Sequence, residues 1–500
     1  MPIFPNMKTL LATLIALFLA GTAVGQTFTD ALRYSFVTPQ GTARFAGTGG
    51  SLTPLGVDPT TLHTNPAGIG WNRYNVFEVT PGLMYTNTDA VLAFDGTETS
   101  EPVASFNLPS VGAVLAGSTR SVNWSTLNFG VSATRLADCN QQLRFEGRSP
   151  GSIIEGFAND IDLNSGSAFG AGLAEEFVIF DEDRNAYFSD FYNFDADQPR
   201  PESIGRSGLY DRRGSMTEIG LGFGGNYREK VLWGLSFGIP FFTFEQSYNY
   251  EEIDDQQQIP AFENSRYTET LVASGTGFNA KLGLIFLPTE QSRISLAVHT
   301  PTAWSIDETF SSTFGYFFTD ANGAQGGNNE SPISNSSYNL RTPWRFSLGA
   351  GYLVGSRGFL SIDADYADFR GNEISFNDFA DLDEGTNTDI DNILASSIGV
   401  RVGGELNADP LQFRAGVGYR QLPYAEFLND EDEFQLTYSL GLGYSTGKFF
   451  VDATLQGSGY ASFQNAYETF TFSDQTVLTD RTQTSLLVTV GLRGFTLGRF

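Results

Sequence analysis

The chain has 500 residues, a formal net charge of −28 and an isoelectric point near 4.3, with 17% charged and 14% aromatic residues. Nucleic-acid binding is excluded because it needs a basic footprint, and the single cysteine, Cys139, excludes an internal disulfide. After the N-terminus no stretch holds the roughly 18 uninterrupted apolar residues of a spanning helix, so a helical membrane protein is excluded as well.

Lys8, the apolar run Leu10–Ala20 and the small residues Ala23, Val24 and Gly25 stand in the order of a secretory signal. Removal of residues 1–25 is expected, with the mature chain starting at Gln26 and no cysteine after the site to carry a lipid anchor. Residues 26–74 show little strand periodicity and are rich in glycine and proline. Their apolar Leu32, Phe36, Phe45, Leu52, Leu55, Leu62 and Ile69 need a surface to pack against.

From Asn75 to Phe500 short alternating apolar and polar segments recur. Fourteen strands are predicted, at Asn75–Tyr85, Val103–Gly117, Ser125–Leu136, Ser215–Tyr227, Val231–Phe244, Thr268–Leu287 and Arg293–Trp304, then at Tyr338–Val354, Gly358–Phe369, Leu394–Leu406, Leu411–Arg420, Phe434–Ser445, Lys448–Tyr460 and Thr482–Phe495. Most reach the 9–11 residues that a tilted strand needs to cross a bilayer. Short links such as Arg228-Glu229-Lys230, Ser356-Arg357 and Gly447 alternate with long ones, the longest being Ala137–Gly214. Tight turns on one side and large loops on the other are the signature of a transmembrane barrel, and a soluble sandwich has no reason to keep that rhythm.

Side-chain parity agrees. Trp233, Leu235, Phe237 and Ile239 alternate with Gly234, Ser236 and Gly238, while Arg401, Glu405, Arg414, Lys281, Asp363 and Asp452 all fall on the parity opposite the apolar residues. A basic residue facing lipid near midplane costs about 2–4 kcal/mol, so these charges are expected in the lumen. Tyr227, Phe241, Trp304, Tyr366, Tyr444 and Phe449 lie near strand ends, where aromatic girdles meet the membrane interfaces. The fold class that follows is all-β, a 14-stranded antiparallel transmembrane β-barrel over residues 75–500, with the 26–74 segment as a periplasmic plug, or hatch, folded into the lumen. The acidic residues of the long links, among them Glu251, Glu252, Asp254 and Asp255, keep solvated loops charged and offer divalent-cation bridging to lipopolysaccharide.

Several motifs lead nowhere. Gly220, Gly222 and Gly225 match a dinucleotide fingerprint but lie within a strand with no helix after it. Asp381, Asp383, Gly385, Asn387 and Asp389 resemble a calcium loop without its closing bidentate Glu. With only His63 and His299 available, a hydrolase needs one of them beside a serine and an acid. No cofactor or metal, no catalytic residue and no nucleic-acid partner is expected.

The Gly-rich stretch 41–50, then Asp58-Pro59 and Asn65-Pro66-Ala67-Gly68, ahead of fourteen strands and a terminal Phe500, resembles the FadL/TodX family of outer-membrane transporters for long-chain fatty acids and other hydrophobic compounds. Asn65, Pro66 and Ala67 match the Asn-Pro-Ala of that family's hatch, with Gly68 following. The resemblance implies a hatch in the lumen, capture of hydrophobic ligand in extracellular loops and sideways release into the bilayer through a strand kink. It also implies an outer-membrane location with lipid and lipopolysaccharide as neighbours, and assembly through a C-terminal strand ending in Phe500. A kink is expected near Asn107, Pro109 and Ser110, where parity slips from even (Phe106, Leu108) to odd (Val111, Ala113) beside a proline that cannot join the ladder. The family's kink lies in its third strand, whereas this one falls in the second. Phe177, Phe180, Tyr187, Phe188 and Phe191, in the longest link, are candidates for capture. Arg184, Arg200, Arg206, Arg212 and Arg213 are cations that could meet a carboxylate. The competing readings are a general porin-like barrel, which needs an open lumen, and a haemin receptor using His63.

Overall fold

The computed structural model of the protein describes residues 28–162, 168–377, 382–425, 434–467 and 475–495; the expected signal segment and Phe500 lie outside them. Fourteen antiparallel strands close into one cylinder. They are β1 (Val76–Leu92), β2 (Glu98–Ser118), β3 (Trp124–Asp138), β4 (Ser203–Tyr227), β5 (Val231–Ile253) and β6 (Phe262–Phe286). Three follow in two pieces each: β7 (Ser292–His299 and Ala303–Asp320), β8 (Ser334–Arg341 and Arg345–Leu353) and β9 (Gly358–Asp368 and Glu373–Phe376). The last five are β10 (Ser396–Ala408), β11 (Leu411–Gln421), β12 (Phe434–Ser445), β13 (Phe449–Asn465) and β14 (Thr476–Arg493). Each pairs with the next over at least part of its length, and β14 returns to β1 with Arg493 opposite Val76, closing the cylinder.

The two faces of the wall invert what a soluble protein shows. On β12 the outward Leu436, Tyr438, Leu440, Leu442 and Tyr444 are all exposed, while the inward Glu218, Lys281, Asp363, Arg414 and Asp452 of other strands are buried. Apolar surface outside and buried charge inside make sense only where the outer solvent is lipid.

The strands outrun the membrane. β4, β5 and β6 have 25, 23 and 25 residues, well beyond the 9–11 of a crossing. The stretch from Glu245 to Tyr267, expected as loop, is mostly ladder, continuing through Glu251 opposite Arg266 to Ile253 opposite Asn264. Its alternation explains why: Tyr248, Tyr250 and Glu252 are buried, while Asn249 and Glu251 face out. A strand with one wet face keeps its pairing outside the bilayer as well as inside it.

The Ala137–Gly214 link is likewise structured. Its strand Gln141–Pro150 pairs with the outer end of β4 and is followed by a helix, Ile153–Asp162, and two short hairpins. With β5, β6 and β7 these build an apolar cap over the barrel mouth, centred on Phe145, Ile154, Phe191, Tyr250, Phe314 and Tyr316.

Candidate functional site

The lumen is filled by the N-terminal segment. Its elements are helix α1 (Phe28–Ser35), helix α2 (Ala43–Gly47) and two short 3-10 helices, Pro59–Leu62 and Pro66–Trp71. Each short turn has a side-chain cap: Thr42 accepts from the Phe45 N–H at 3.1 Å, Asp58 from Thr60 at 2.8 Å and Asn65 from Ala67 at 3.2 Å. Caps of this kind let one or two turns persist where length alone would not hold them. The Asn65 amide also donates to the carbonyls of Thr53 at 3.3 Å and Leu284 at 3.5 Å, joining hatch to hatch and hatch to wall. Pro66 and Ala67 lie against Gly234, where any Cβ would collide with their backbone, and Gly283 leaves the same clearance for Asn65. The false dinucleotide motif has a similar use: Gly220 faces His63 and Gly222 faces Leu62.

Polar side chains of the wall meet the hatch in closed networks. Glu405 takes Arg44 of the hatch at 2.9 Å and Arg414 at 2.7 Å, and Arg414 reaches Asp452 at 2.6 Å. Thr53 donates its N–H to Asp363 at 3.1 Å. His63 lies 2.7 Å from Glu218 through Nδ1 and 2.8 Å from the Ser132 hydroxyl through Nε2, and Lys281 joins Glu218 at 2.6 Å. That order of serine, histidine and acid has the connectivity of a catalytic triad, but Ser132 and His63 are each 2% exposed, sealed between wall and hatch. Burial holds the His63 ring below its usual pKa, with Glu218 opposing. With both ring nitrogens engaged, His63 presents neither to a haem iron. A filled lumen likewise lacks the open bore of a general porin.

The expected kink region is irregular. Past Ser110 opposite Thr134, β2 no longer pairs with β3, and the β1–β2 register slips between Thr80/Ser110 and Gly82/Asn107. Pro81 stands on one side of the slip and Pro109 on the other. The hatch takes the vacated edge of β3. Thr38 N–H donates to the Leu136 carbonyl at 3.2 Å and Gln40 N–H to that of Arg135 at 2.9 Å. The Asn107 amide reaches Gln40 at 3.3 Å and Asp138 at 3.4 Å.

Beside this slit lies a basic cluster. Burial pushes the half-buried Cys139 thiol up and Asp138 adds to the rise, while the positive charges of Arg33, Arg212 and Arg481 oppose it. Arg212 is held by Gln246 at 2.8 Å and Arg481 by the Tyr460 hydroxyl at 3.2 Å. Neither has a carboxylate partner among the described residues. Of the five cations singled out from the sequence, Arg212 alone belongs to this cluster. Arg184 pairs with Asp181 and Asp197, Arg213 with Asp211 and Arg206 with Glu252, while Arg200 holds the Asp190 carbonyl. Arg481 was legible as a charge on the parity opposite Leu478 and Leu486; Arg33, in the helical part of the hatch, carried no such signal.

The aromatic capture candidates separate into two groups. Phe191 is 0% exposed, and Phe177 packs on Tyr316 at 5.6 Å between ring centres, so both belong to the cap core. Phe180 and Tyr187 pair across an outer hairpin at 5.0 Å, and Phe188 packs tilted on Tyr192 at 4.4 Å, nearer solvent.

Among solved structures, a FadL homologue from Pseudomonas aeruginosa superposes with a TM-score of 0.54 at 14% identity, covering 91% of this chain and 99% of that one. The toluene transporter TodX from Pseudomonas putida gives 0.51 at 11%, covering 92% and 100%. No family model matches the sequence, and no curated protein does. Identities this low speak for architecture alone: the chain has the fold of the FadL and TodX outer-membrane channels, a closed fourteen-strand barrel with its N-terminal segment in the lumen.

Proposed function

We propose that the protein is an outer-membrane channel for passive uptake of hydrophobic molecules, and that its cargo is a single-chain amphiphile of the long-chain fatty acid type. The cap collects the ligand near Phe180, Tyr187 and Phe188. A carboxylate head group then settles on Arg212 and Arg481, two cations beside the slit with no carboxylate partner among the described residues. Release is sideways, through the slit framed by Asn107, Pro109 and Ser110, when residues 38–40 of the hatch leave the β3 edge. Among the described residues, only there does the hatch backbone hydrogen-bond to the backbone of a strand; Asn65-Pro66-Ala67-Gly68 is seated on β5 and β6.

One observation carries this reading: the hatch backbone hydrogen-bonds to β3 exactly where β2 abandons it, closing the wall with a removable piece. The test is a reversible lock. Gln40→Cys with Asn107→Cys, in a Cys139→Ser background, cross-links the slit under oxidation. Oleate uptake by a transporter-deficient strain should fall to background when oxidised and return on reduction; unchanged uptake in the oxidised state overturns the route. Arg212→Gln with Arg481→Gln removes charge-assisted hydrogen bonds worth roughly 1.5–3 kcal/mol each. Oleate affinity should weaken by about tenfold or more while that for an uncharged aromatic hydrocarbon holds.

A further inference from the structure

A second weakness in the wall lies far from that slit. Three neighbouring strands break their regular ladder at one height: β7 between His299 and Ala303, β8 between Arg341 and Arg345, and β9 between Asp368 and Glu373. There the Thr300 N–H still donates to the Ala280 carbonyl at 2.9 Å and the Thr342 N–H to the Thr302 carbonyl at 3.0 Å. Pro301 and Pro343 sit in two of the gaps, where a missing N–H cannot continue the pairing. On the outer face the gaps leave a groove of about 650 Å³, floored by Ile239, Phe278 and Ala303 and rimmed by Asn339, Arg341 and Glu373. Below the groove the outward side chains are Leu282, Leu284, Leu348 and Leu360, and beside it stand Trp344 and Tyr366, all exposed. An apolar band ending in aromatics under a polar rim marks the level of the outer head groups.

On the inner face lies a cavity of about 90 Å³ whose lining includes His299, Arg345, Asp365 and Arg420. Trp304 lines both spaces. It faces Gly277 across the β6–β7 pair, and its ring lies 3.0 Å from where a Gly277 Cβ would stand, so it fills a window that a side chain on β6 would otherwise cover. Trp304 is 3% exposed, and its indole N–H makes no hydrogen bond among the described residues. A polar group buried without an acceptor is one that native packing normally avoids.

We propose that Trp304 closes a second lateral portal, through which an anionic single-chain amphiphile exchanges between the inner cavity and the outer leaflet. In the groove the tail lies over Ile239 and Phe278 and the head group competes with Glu373 for Arg341, which that carboxylate holds at 2.6 Å. Inside, Arg345 and Arg420 offer the receiving charge. The cargo chemistry is that of the uptake reading, but the portal stands on the groove and the window alone.

Both readouts avoid uptake. With Cys139→Ser throughout, Ser347→Cys reports on the inner cavity in liposomes. Trp304→Ala should speed its labelling by a maleimide carried on a stearoyl chain in the bilayer at least tenfold, with Trp304→Phe near the parent. Labelling by a charged water-soluble thiosulfonate should change less than twofold. Equal lipid-side rates in Trp304→Ala and the parent overturn the portal. Should Trp304→Ala not fold, bimane on Ser305→Cys in the groove keeps the question open to refutation. Dibromostearate should quench it saturably, with Arg341→Gln raising the half-saturating concentration at least fivefold. Non-saturating quenching, or quenching indifferent to Arg341→Gln, rejects the site. Failure here leaves the slit untouched, because the Gln40–Asn107 cross-link reports on that route separately.

Discussion

The lower lumen and the extracellular cap are both interiors of the same barrel wall, yet they are filled by opposite chemistry. Below, the hatch meets Glu405, Arg414, Asp452, Asp363 and Glu218, and close approach is made possible by glycines on the strands. Above, rings pack on rings: Phe191 on Phe262 at 4.9 Å, Phe157 on Phe314 at 5.3 Å and Tyr210 on Tyr248 at 3.9 Å. The cap has water outside it and is held as a soluble domain is, by apolar burial. The hatch is ringed by a wall whose apolar parity is already committed to lipid, so only the polar parity is left to hold it. Polar pairing there carries the seating, and the few groups left without a partner, such as the Thr64 hydroxyl and Glu78 Oε1, cost about 1–3 kcal/mol each.

The largest expected effect tests a place where the cap breaks that pattern. Arg206 and Glu252 form a fully buried pair at 2.6 Å, and Arg206 also donates to the Tyr250 hydroxyl at 2.8 Å. Arg206→Ala strands the Glu252 carboxylate and should destabilise the cap by about 3–5 kcal/mol. Protease nicking of residues 141–202 on intact cells should rise sharply while the barrel keeps its heat-modifiable gel mobility. An uncut cap would show that apolar packing alone holds it. Next comes the hatch. Gly234→Val drives a side chain into the Pro66–Ala67 backbone, an overpacking cost of about 1–3 kcal/mol. Planar bilayers should then show stable conductance steps that the parent lacks. Gly385→Ala, with nothing within 4 Å, is the control and should leave the bilayer record unchanged. Conductance in both, or in neither, would mean the glycine wall does not seat the hatch.

Strand number, parity and the lumenal placement of Lys281, Asp363, Arg414 and Asp452 were all legible, because a period of two writes itself into every strand. The outer ends of β4–β6 were not. Tyr248-Asn249-Tyr250-Glu251 alternates correctly, but polar residues on its wet face read as loop when the strand is expected to stop at the bilayer. The Asn-Pro-Ala-Gly motif was marked out by the family resemblance alone; in the fold Asn65 caps the turn Pro66–Trp71 and Pro66 opens it. The Thr38–Gln40 backbone on β3 could not be foreseen, since main-chain pairing leaves no mark in side-chain identity. The same holds for the basic cluster at Cys139, which joins a helix, two strands and a link that are remote in sequence. Trp304 was read as a girdle residue near a strand end; burial on the inward face makes it part of the wall instead.

A smaller effect separates the hatch's internal order from its seating. Asn65→Ala removes the cap on Ala67 together with the donors to Thr53 and Leu284, and should cost about 1 kcal/mol. Because Arg44, Thr53 and His63 still bind the wall, the bore should stay closed to ions. Hydrogen exchange should accelerate at Ala67 and Gly68 by several-fold and remain unchanged at Phe45. Acceleration across the whole hatch would mean that it unfolds as one unit, and that the Asn-Pro-Ala-Gly turn carries the seating after all.

The smallest effect lies in the cap and depends on pH. Ser152 and Glu155 form a capping box on the helix Ile153–Asp162: the Ile154 N–H donates to the Ser152 hydroxyl at 3.3 Å, and the Ser152 N–H donates to the Glu155 carboxyl at 2.9 Å. Burial pushes the Glu155 carboxyl up to about 8, the Ser152 N–H opposes, Glu252 adds to the rise and Arg206 opposes it. The folded form therefore holds a proton that the unfolded chain gives up near its ordinary value of 4.5. Stability from this group is complete below about 4.5 and drains away as the pH climbs to about 8. Glu155 is half-buried, so solvent screening keeps the effect within about 1 kcal/mol. Glu155→Gln keeps an acceptor for Ser152 and removes the titration. Proteolysis of the cap in the parent should be faster at pH 8.5 than at pH 6 (the first above that window and the second inside it), and the Gln variant should lose most of that difference. A parent whose cap resists proteolysis better at the higher pH would reverse the sign, and would mean that the carboxylate is held by its cap and by Arg206 more strongly than burial opposes it.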